Sequence, residues 1–146
     1  MIKIEFPKDQ VKVQQRQNQN QIFDVIRKKW LLLSPEEWVR QNIIQFLLIK
    51  KNYPSSLIAI EKGIKLGELR KRCDIVIYDR KMSPWMIIEC KEMNVPLSEK
   101  TLEQILRYHI TLPAKYLVIT NGTYSFGFEK SKDQFLEMNT FPDFEF

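Results

Sequence analysis

Cys73-Asp74-Ile75-Val76-Ile77-Tyr78, then Asp79-Arg80-Lys81-Met82-Ser83-Pro84, then Trp85-Met86-Ile87-Ile88-Glu89-Cys90-Lys91: this stretch decides the fold. Two short β-branched-rich runs joined by a turn-rich link predict a β-hairpin. In an antiparallel pair the start of the first strand lies beside the end of the second, so Asp74 and Glu89 converge. Two carboxylates with a lysine two residues on make a site for a hard divalent cation with an ammonium beside it. The opposing reading is structural, with Glu89 salt-bridged to Lys91 or Arg72 and Asp74 capping a turn. Burying such groups without a cation or a donor is costly, and both readings answer that cost. Spacing alone leaves the two open.

Working outward, 146 residues suit one domain with a core of its own. Hydrophobic residues at 44% and charged residues at 28% place the chain among ordinary globular proteins. A net charge of +5 permits a phosphate-bearing partner without demanding one. The two cysteines, Cys73 and Cys90, are no disulfide framework and read as reduced, buried thiols. With His109 the one histidine, no Cys/His cluster for zinc can form. No signal-peptide core and no run of transmembrane length is present, so the expected compartment is a prokaryotic cytoplasm, with no membrane partner.

Residues 8–21 are polar and glutamine-rich and read as a linker or peripheral arm, giving an N-terminal arm over 1–21 and one domain over 22–146. Ile22-Phe23-Asp24 reads as a short strand before the basic cluster Arg27-Lys28-Lys29. Ser34-Pro35-Glu36-Glu37 is a helix start, with Ser as N-cap, Pro at the first helical position and Glu at the third. The helix runs through Trp38, Val39, Ile43, Phe46 and Leu47 to about Asn52. Leu57–Lys62 reads as a strand and Gly63–Gly67 as its turn. A second helix starts at Ser98 and ends before Pro113. Tyr116–Thr120 reads as a buried strand, Asn121-Gly122 as a two-residue hairpin turn, Thr123–Phe128 as its return, and Phe135–Met138 as a last edge. This order argues for an α/β domain, a central mixed sheet flanked by helices.

Glu37 is a candidate third carboxylate, although a capping box with Ser34 accounts for it equally. Glu36 stands four residues before Arg40 and reads as half of a solvated helix pair. Gln104 and Tyr108 lie one turn apart on the second helix, facing either the site or the helix margin. His109 reads as a helix-end residue. Gly63-Ile64-Lys65-Leu66-Gly67 lacks the lysine of a phosphate loop, so no ATPase motor is encoded in these residues.

Taken in order, six blocks resemble the N-terminal nuclease domain of type I restriction enzyme motor subunits, within the PD-(D/E)XK nuclease superfamily. They are Arg27-Lys28-Lys29-Trp30, Ser34-Pro35-Glu36-Glu37-Trp38-Val39-Arg40-Gln41, Arg72 to Asp79, Ile88-Glu89-Cys90-Lys91, Gln104-Ile105-Leu106-Arg107-Tyr108, and Leu117 to Gly122. The resemblance spans roughly residues 22–129. It implies a PD-(D/E)XK, restriction-endonuclease-like core and Mg²⁺-dependent hydrolysis of DNA phosphodiesters, with Mn²⁺ as a substitute. It implies metal ligation by Asp74, Glu89, the Cys90 carbonyl and Glu37, with Lys91 orienting the attacking water and Gln104 and Tyr108 holding the site or the strand. Arg27, Arg70, Lys71 and Arg72 are candidate DNA contacts. The implied partners are DNA, a helicase or translocase and other restriction subunits; homodimerisation stays open. The alternative is a non-catalytic DNA-binding or assembly module working with a separate motor or partner.

Overall fold

Ser34 sets the first helix in place: its Oγ accepts the Glu37 amide at 3.1 Å, with Pro35 at the first helical position. The computed structural model describes residues 1–145. Helix α1 (Pro35–Gln45) passes into a π-helical turn over Phe46–Lys50 and stops where Asn52 takes φ +54°. Helix α2 (Glu99–His109) is capped in the same way, Ser98 Oγ accepting the Thr101 amide at 3.2 Å.

The strands are β1 (Val13–Arg16), β2 (Gln19–Asp24) and β3 (Lys29–Leu32), then β4 (Ile58–Leu66), β5 (Leu69–Tyr78) and β6 (Pro84–Cys90), then β7 (Tyr116–Thr120), β8 (Ser125–Ser131) and β9 (Gln134–Met138). The last six form one sheet in sequence order, antiparallel except for β6 and β7. That parallel pair needs a crossover, and α2 supplies it. The architecture is therefore α/β with a six-stranded mixed sheet, as its strand and helix order predicts.

A helix covers each face. Val39, Ile43 and Ile44 of α1, with Leu47 of the π-helical turn, pack on Ile75, Ile77, Met86 and Ile88. Ile105 of α2 and Leu112 pack on Val76, Ile87, Leu117 and Ile119. Strands buried on both faces need apolar side chains at successive positions, which is why Ile75-Val76-Ile77 and Met86-Ile87-Ile88 are continuous runs.

The β4–β5 pair changes sides part-way along. Ile58, Ile60, Ile75 and Ile77 belong to the α1 side, whereas Ile64 and Cys73 belong to the α2 side. Ile60 pairs with Ile75 and Lys62 with Cys73; the Glu61–Asp74 pair between them is skipped. Glu61 takes φ +53° there, an uncommon backbone for a non-glycine residue inside a strand. The alternation inverts at that point, and Asp74 stands on the inversion.

Three expectations need correction. Residues 8–21 are not an unstructured arm: β1 and β2 pair through Gln17-Asn18, both at positive φ as a tight two-residue turn requires, and join β3 in a three-stranded sheet. Upstream of them Ile2 is buried, and Phe6 packs edge-on against Phe46 at 6.4 Å. Gly63 lies inside β4, and the turn falls at Gly67-Glu68, because Leu66 pairs with Leu69 and Gly67 takes φ +62°. The Asn121-Gly122 link is a four-residue loop. Asn121 Oδ1 accepts the amides of Thr123 and Tyr124 at 3.0 and 2.7 Å, and that side-chain turn replaces the tighter one.

Candidate metal and nucleic-acid site

Continuing the Ile75–Ile88 register brings Asp74 beside Glu89, as the hairpin predicts. Asp74 Oδ2 accepts the Cys90 amide at 2.8 Å. Burial and the Glu89 charge push the Asp74 carboxyl up to about 7; Glu36 adds to the repulsion, while the Cys90 amide and Arg40 oppose it. Burial likewise opposes charge on Glu89, but His109 and Lys91 overcome it and hold this carboxyl below the ordinary range. The contacts are 3.5 Å from Lys91 Nζ to Oε1 and 3.6 Å from His109 Nε2 to Oε2, the latter longer than a hydrogen bond.

Lys91 is positioned through its backbone. Its amide donates to the Thr120 carbonyl at 2.8 Å, extending the β6–β7 ladder past Cys90. The loop that follows is tied to the β7–β8 loop, since Asn121 Nδ2 donates to the Val95 carbonyl at 2.9 Å. Cys73 and Cys90 are free thiols on opposite faces of the sheet. Burial pushes the Cys73 thiol up to about 12 and also raises Cys90, so neither is a ready nucleophile.

Glu37 is buried and its carboxylate is already engaged. Arg40 Nε and Nη2 reach it at 2.9 and 2.6 Å, and Gln41 Nε2 at 3.0 Å. Only half of the capping box forms, because these donors turn the side chain away from the Ser34 amide. Arg40 also reaches Glu61 at 2.6 Å, and Glu61 reaches Arg72 at 2.6 Å. At the other end Arg27 lies 3.9 Å from Glu37 and 2.6 Å from the buried Asp24. One alternating chain of charges thus runs from β2 through α1 and β4 to β5. The expected Glu36–Arg40 pair does not form, because Glu37 and Glu61 occupy the guanidinium. Glu36 is exposed, and its charge is felt at Asp74.

The remaining predicted residues divide. Gln104 and Tyr108 are exposed on α2. The Tyr108 carbonyl accepts from Lys71 Nζ, which also lies 4.4 Å from the Tyr108 ring centroid. Lys71 is thereby tied to α2, while the Arg70 guanidinium lies over Gly63 and Arg72 remains 73% exposed. Sequence reasoning missed His109, Arg40, Glu61 and Glu36 as neighbours of the site. A signal for His109 was available, since it stands four residues after the buried Ile105 on one helical stripe.

Oxygen donors suit a hard cation. Among the described residues no three His, Cys, Asp or Glu side chains converge, so the protein offers the Asp74–Glu89 pair. Mg²⁺ accepts such a pair, since it keeps several waters and binds through one or two carboxylates.

Residues 35–142 match the family described as Type I restriction enzyme R protein N terminus (HSDR_N). No curated protein matches the chain. The family match covers both helices and all six strands of the mixed sheet, and leaves β1–β3 outside it. This chain belongs to the type I restriction enzyme R protein N-terminal family, and its role is restriction-related.

Proposed function

We propose that the protein hydrolyses DNA phosphodiester bonds at the Asp74–Glu89–Lys91 site with a bound Mg²⁺ or Mn²⁺, on a PD-(D/E)XK core. The observation that carries this reading is the adjacent carboxylate pair at the strand ends, one member pushed up to about 7 by burial and its neighbour's charge, with an ammonium alongside. Asp74 and Glu89 would hold the cation. When bound, such an ion polarises a phosphoryl oxygen and supplies hydroxide from water at neutral pH.

The other roles belong to this chain's own groups. Lys91 stands 3.5 Å from Glu89, able to orient the attacking water and offset charge on the phosphate. His109 helps keep Glu89 ionised. Arg40 sets Glu37 and Glu61 in place and weakens the repulsion at Asp74. Arg70 and Arg72, exposed on β5 beside Asp74, suit contacts to phosphates.

The engaged Glu37 carboxylate favours a second reading, a non-catalytic module that binds DNA and other restriction subunits. Cleavage of plasmid and single-stranded DNA in Mg²⁺ or Mn²⁺ separates the two. The nuclease reading expects cleavage that EDTA abolishes and that Asp74→Asn, Glu89→Gln and Lys91→Ala each remove with the fold intact. Cleavage that survives in all three variants, or no Mn²⁺ binding heat and no cleavage in the wild type, overturns it.

A further inference from the structure

The family match begins at residue 35, and the segment before it, which forms the three-stranded sheet, carries most of the chain's net charge. Residues 1–34 hold seven basic and three acidic side chains, a net +4 of the chain's +5. One of the three acids, Asp24, is buried and neutralised by Arg27. The cationic excess is therefore local to this small sheet.

Its two faces differ. Ile22 is buried toward the body of the protein, and its cross-strand partners Val13 and Leu31 share that face. One pleat away Phe23 pairs with Trp30 on the other face, their rings edge-to-face at 5.2 Å. Trp30 is 38% and Leu32 65% exposed. Gln14 and Gln21, paired across β1 and β2, lie on this face with their amides joined at 2.7 Å, and Arg16 completes it near the hairpin tip. Lys12 and Lys28 are exposed at its margins.

A merely solvated face has no use for a Trp–Phe pair and a leucine. A protein partner would meet a surface with no exposed acid on its outward strands. A nucleic-acid strand fits all three chemistries at once. Phosphates pair with the cations, unstacked bases lie on the aromatic pair, and the amides reach base edges. A duplex keeps its bases stacked inward and would leave Trp30 without a role.

We propose that the outer face of β1–β2–β3 holds an unpaired stretch of the DNA substrate and delivers it to the Asp74–Glu89 site. This rests on the nuclease reading for its destination, not for the surface itself. The path follows the chain: β3 runs directly into Ser34 and α1, and a cleft of about 380 Å³ at that joint is walled by Trp38 and by Met93, two residues past Lys91.

The test uses the full chain with Asp74→Asn, in EDTA, so that binding is read without cleavage. Labelled oligothymidine and a duplex of equal length are titrated by fluorescence anisotropy over a range of salt. The oligothymidine binds more tightly than the duplex. Trp30→Ala weakens it roughly tenfold, Trp30→Phe restores most of that, and neither changes the duplex. Lys12→Glu/Arg16→Glu/Lys28→Glu, all exposed positions, lowers the salt slope by about 0.7 per lost phosphate contact. Equal affinity for both DNAs, or unchanged affinity and slope in the Trp30→Ala and triple variants, overturns the surface while the nuclease reading stands. A dimer that Trp30→Ala dissociates also overturns it, because the occupant is then a second copy. Loss of wild-type cleavage with these binding effects intact would instead remove the nuclease reading and leave the surface.

Discussion

Strands β5, β6 and β7 join two ends of opposite character. At one end Trp85, Tyr53, Tyr116, Phe141 and Phe144 pack ring against ring, with centroids 5.1 to 6.0 Å apart. Tyr53 Oη donates to the Pro142 carbonyl there and closes the C-terminal residues over the sheet; burial raises this phenol well above its usual range. At the other end Asp74 and Glu89 crowd together, and His109 Nδ1 and Nε2 are buried without a hydrogen-bond partner. The difference is one of division. Edge-to-face aromatic packing stabilises the sheet where no chemistry is needed, which lets the far end of the same strands hold repelling charges.

The largest expected effects set the two ends against each other. Asp74→Asn should reduce cleavage to background yet raise the melting temperature, since it removes a repelling charge and keeps the shape. Trp85→Ala should cost about 3–5 kcal/mol in urea unfolding, with activity per folded molecule unchanged. If Asp74→Asn destabilises the protein as Trp85→Ala does, the two ends are not different in kind and the division fails.

The next effect concerns the charge chain that runs between the sheets. Arg40 and Glu37 are each only 6% exposed, so Arg40→Leu strands a buried carboxylate. A loss of about 3–5 kcal/mol is expected from such a broken pair. Arg40→Leu with Glu37→Gln should recover much of it, because both charges then leave together. A double variant no more stable than the single one would locate Arg40's contribution elsewhere, in packing or at Glu61.

The third effect is a pH dependence. An unfolded Asp titrates near about 3.9, whereas Asp74 in the fold is pushed up to about 7. Between those values the folded protein keeps a proton that the unfolded chain has lost. Stability should therefore fall as pH rises through that window and level off above it. Glu89 has the opposite sign: its depressed carboxyl adds stability above the ordinary Glu range and loses it as pH drops below. Asp74→Asn should abolish the decline toward pH 7, as thermal melts across pH would register. Added Mg²⁺ should raise the melting temperature above about pH 7 and do little at pH 5, where the proton holds the site.

How much of this was legible in the residues follows from what each signal encodes. The Asp74–Glu89 convergence was readable because a two-strand register needs only the apolar runs and the turn between them. Both helix starts were readable from Ser34 and Ser98, since caps are local chemistry. The glutamine-rich β1–β2 hairpin was not, because a polar strand on a solvated sheet carries no hydrophobic period. The sidedness change at Glu61 was not either; only the paired strands reveal that Ile60 and Ile64 face opposite helices. For the same reason Arg40 read as a partner of Glu36, whereas a strand distant in sequence supplied Glu61.

The smallest effect tests whether His109 works through Glu89. This histidine is buried, with neither ring nitrogen hydrogen-bonded, and its Nε2 lies 3.6 Å from Glu89 Oε2. Phe is close in size, so His109→Phe removes the contact with Glu89 without opening a cavity or stranding a donor. Burial would then act on Glu89 with only Lys91 opposing it, and its carboxyl should rise toward the ordinary range or above. Metal affinity should weaken by about tenfold, as for a lost partner of a ligating carboxylate, with little change in melting temperature. Calorimetric titration with Mn²⁺ at two pH values reads this directly. The loss should be greater at the lower pH, because protonation of Glu89 then competes with the cation. An unchanged isotherm at both pH values would make His109 a packing residue of α2, and the charged end of the sheet would reduce to Asp74, Glu89 and Lys91 alone.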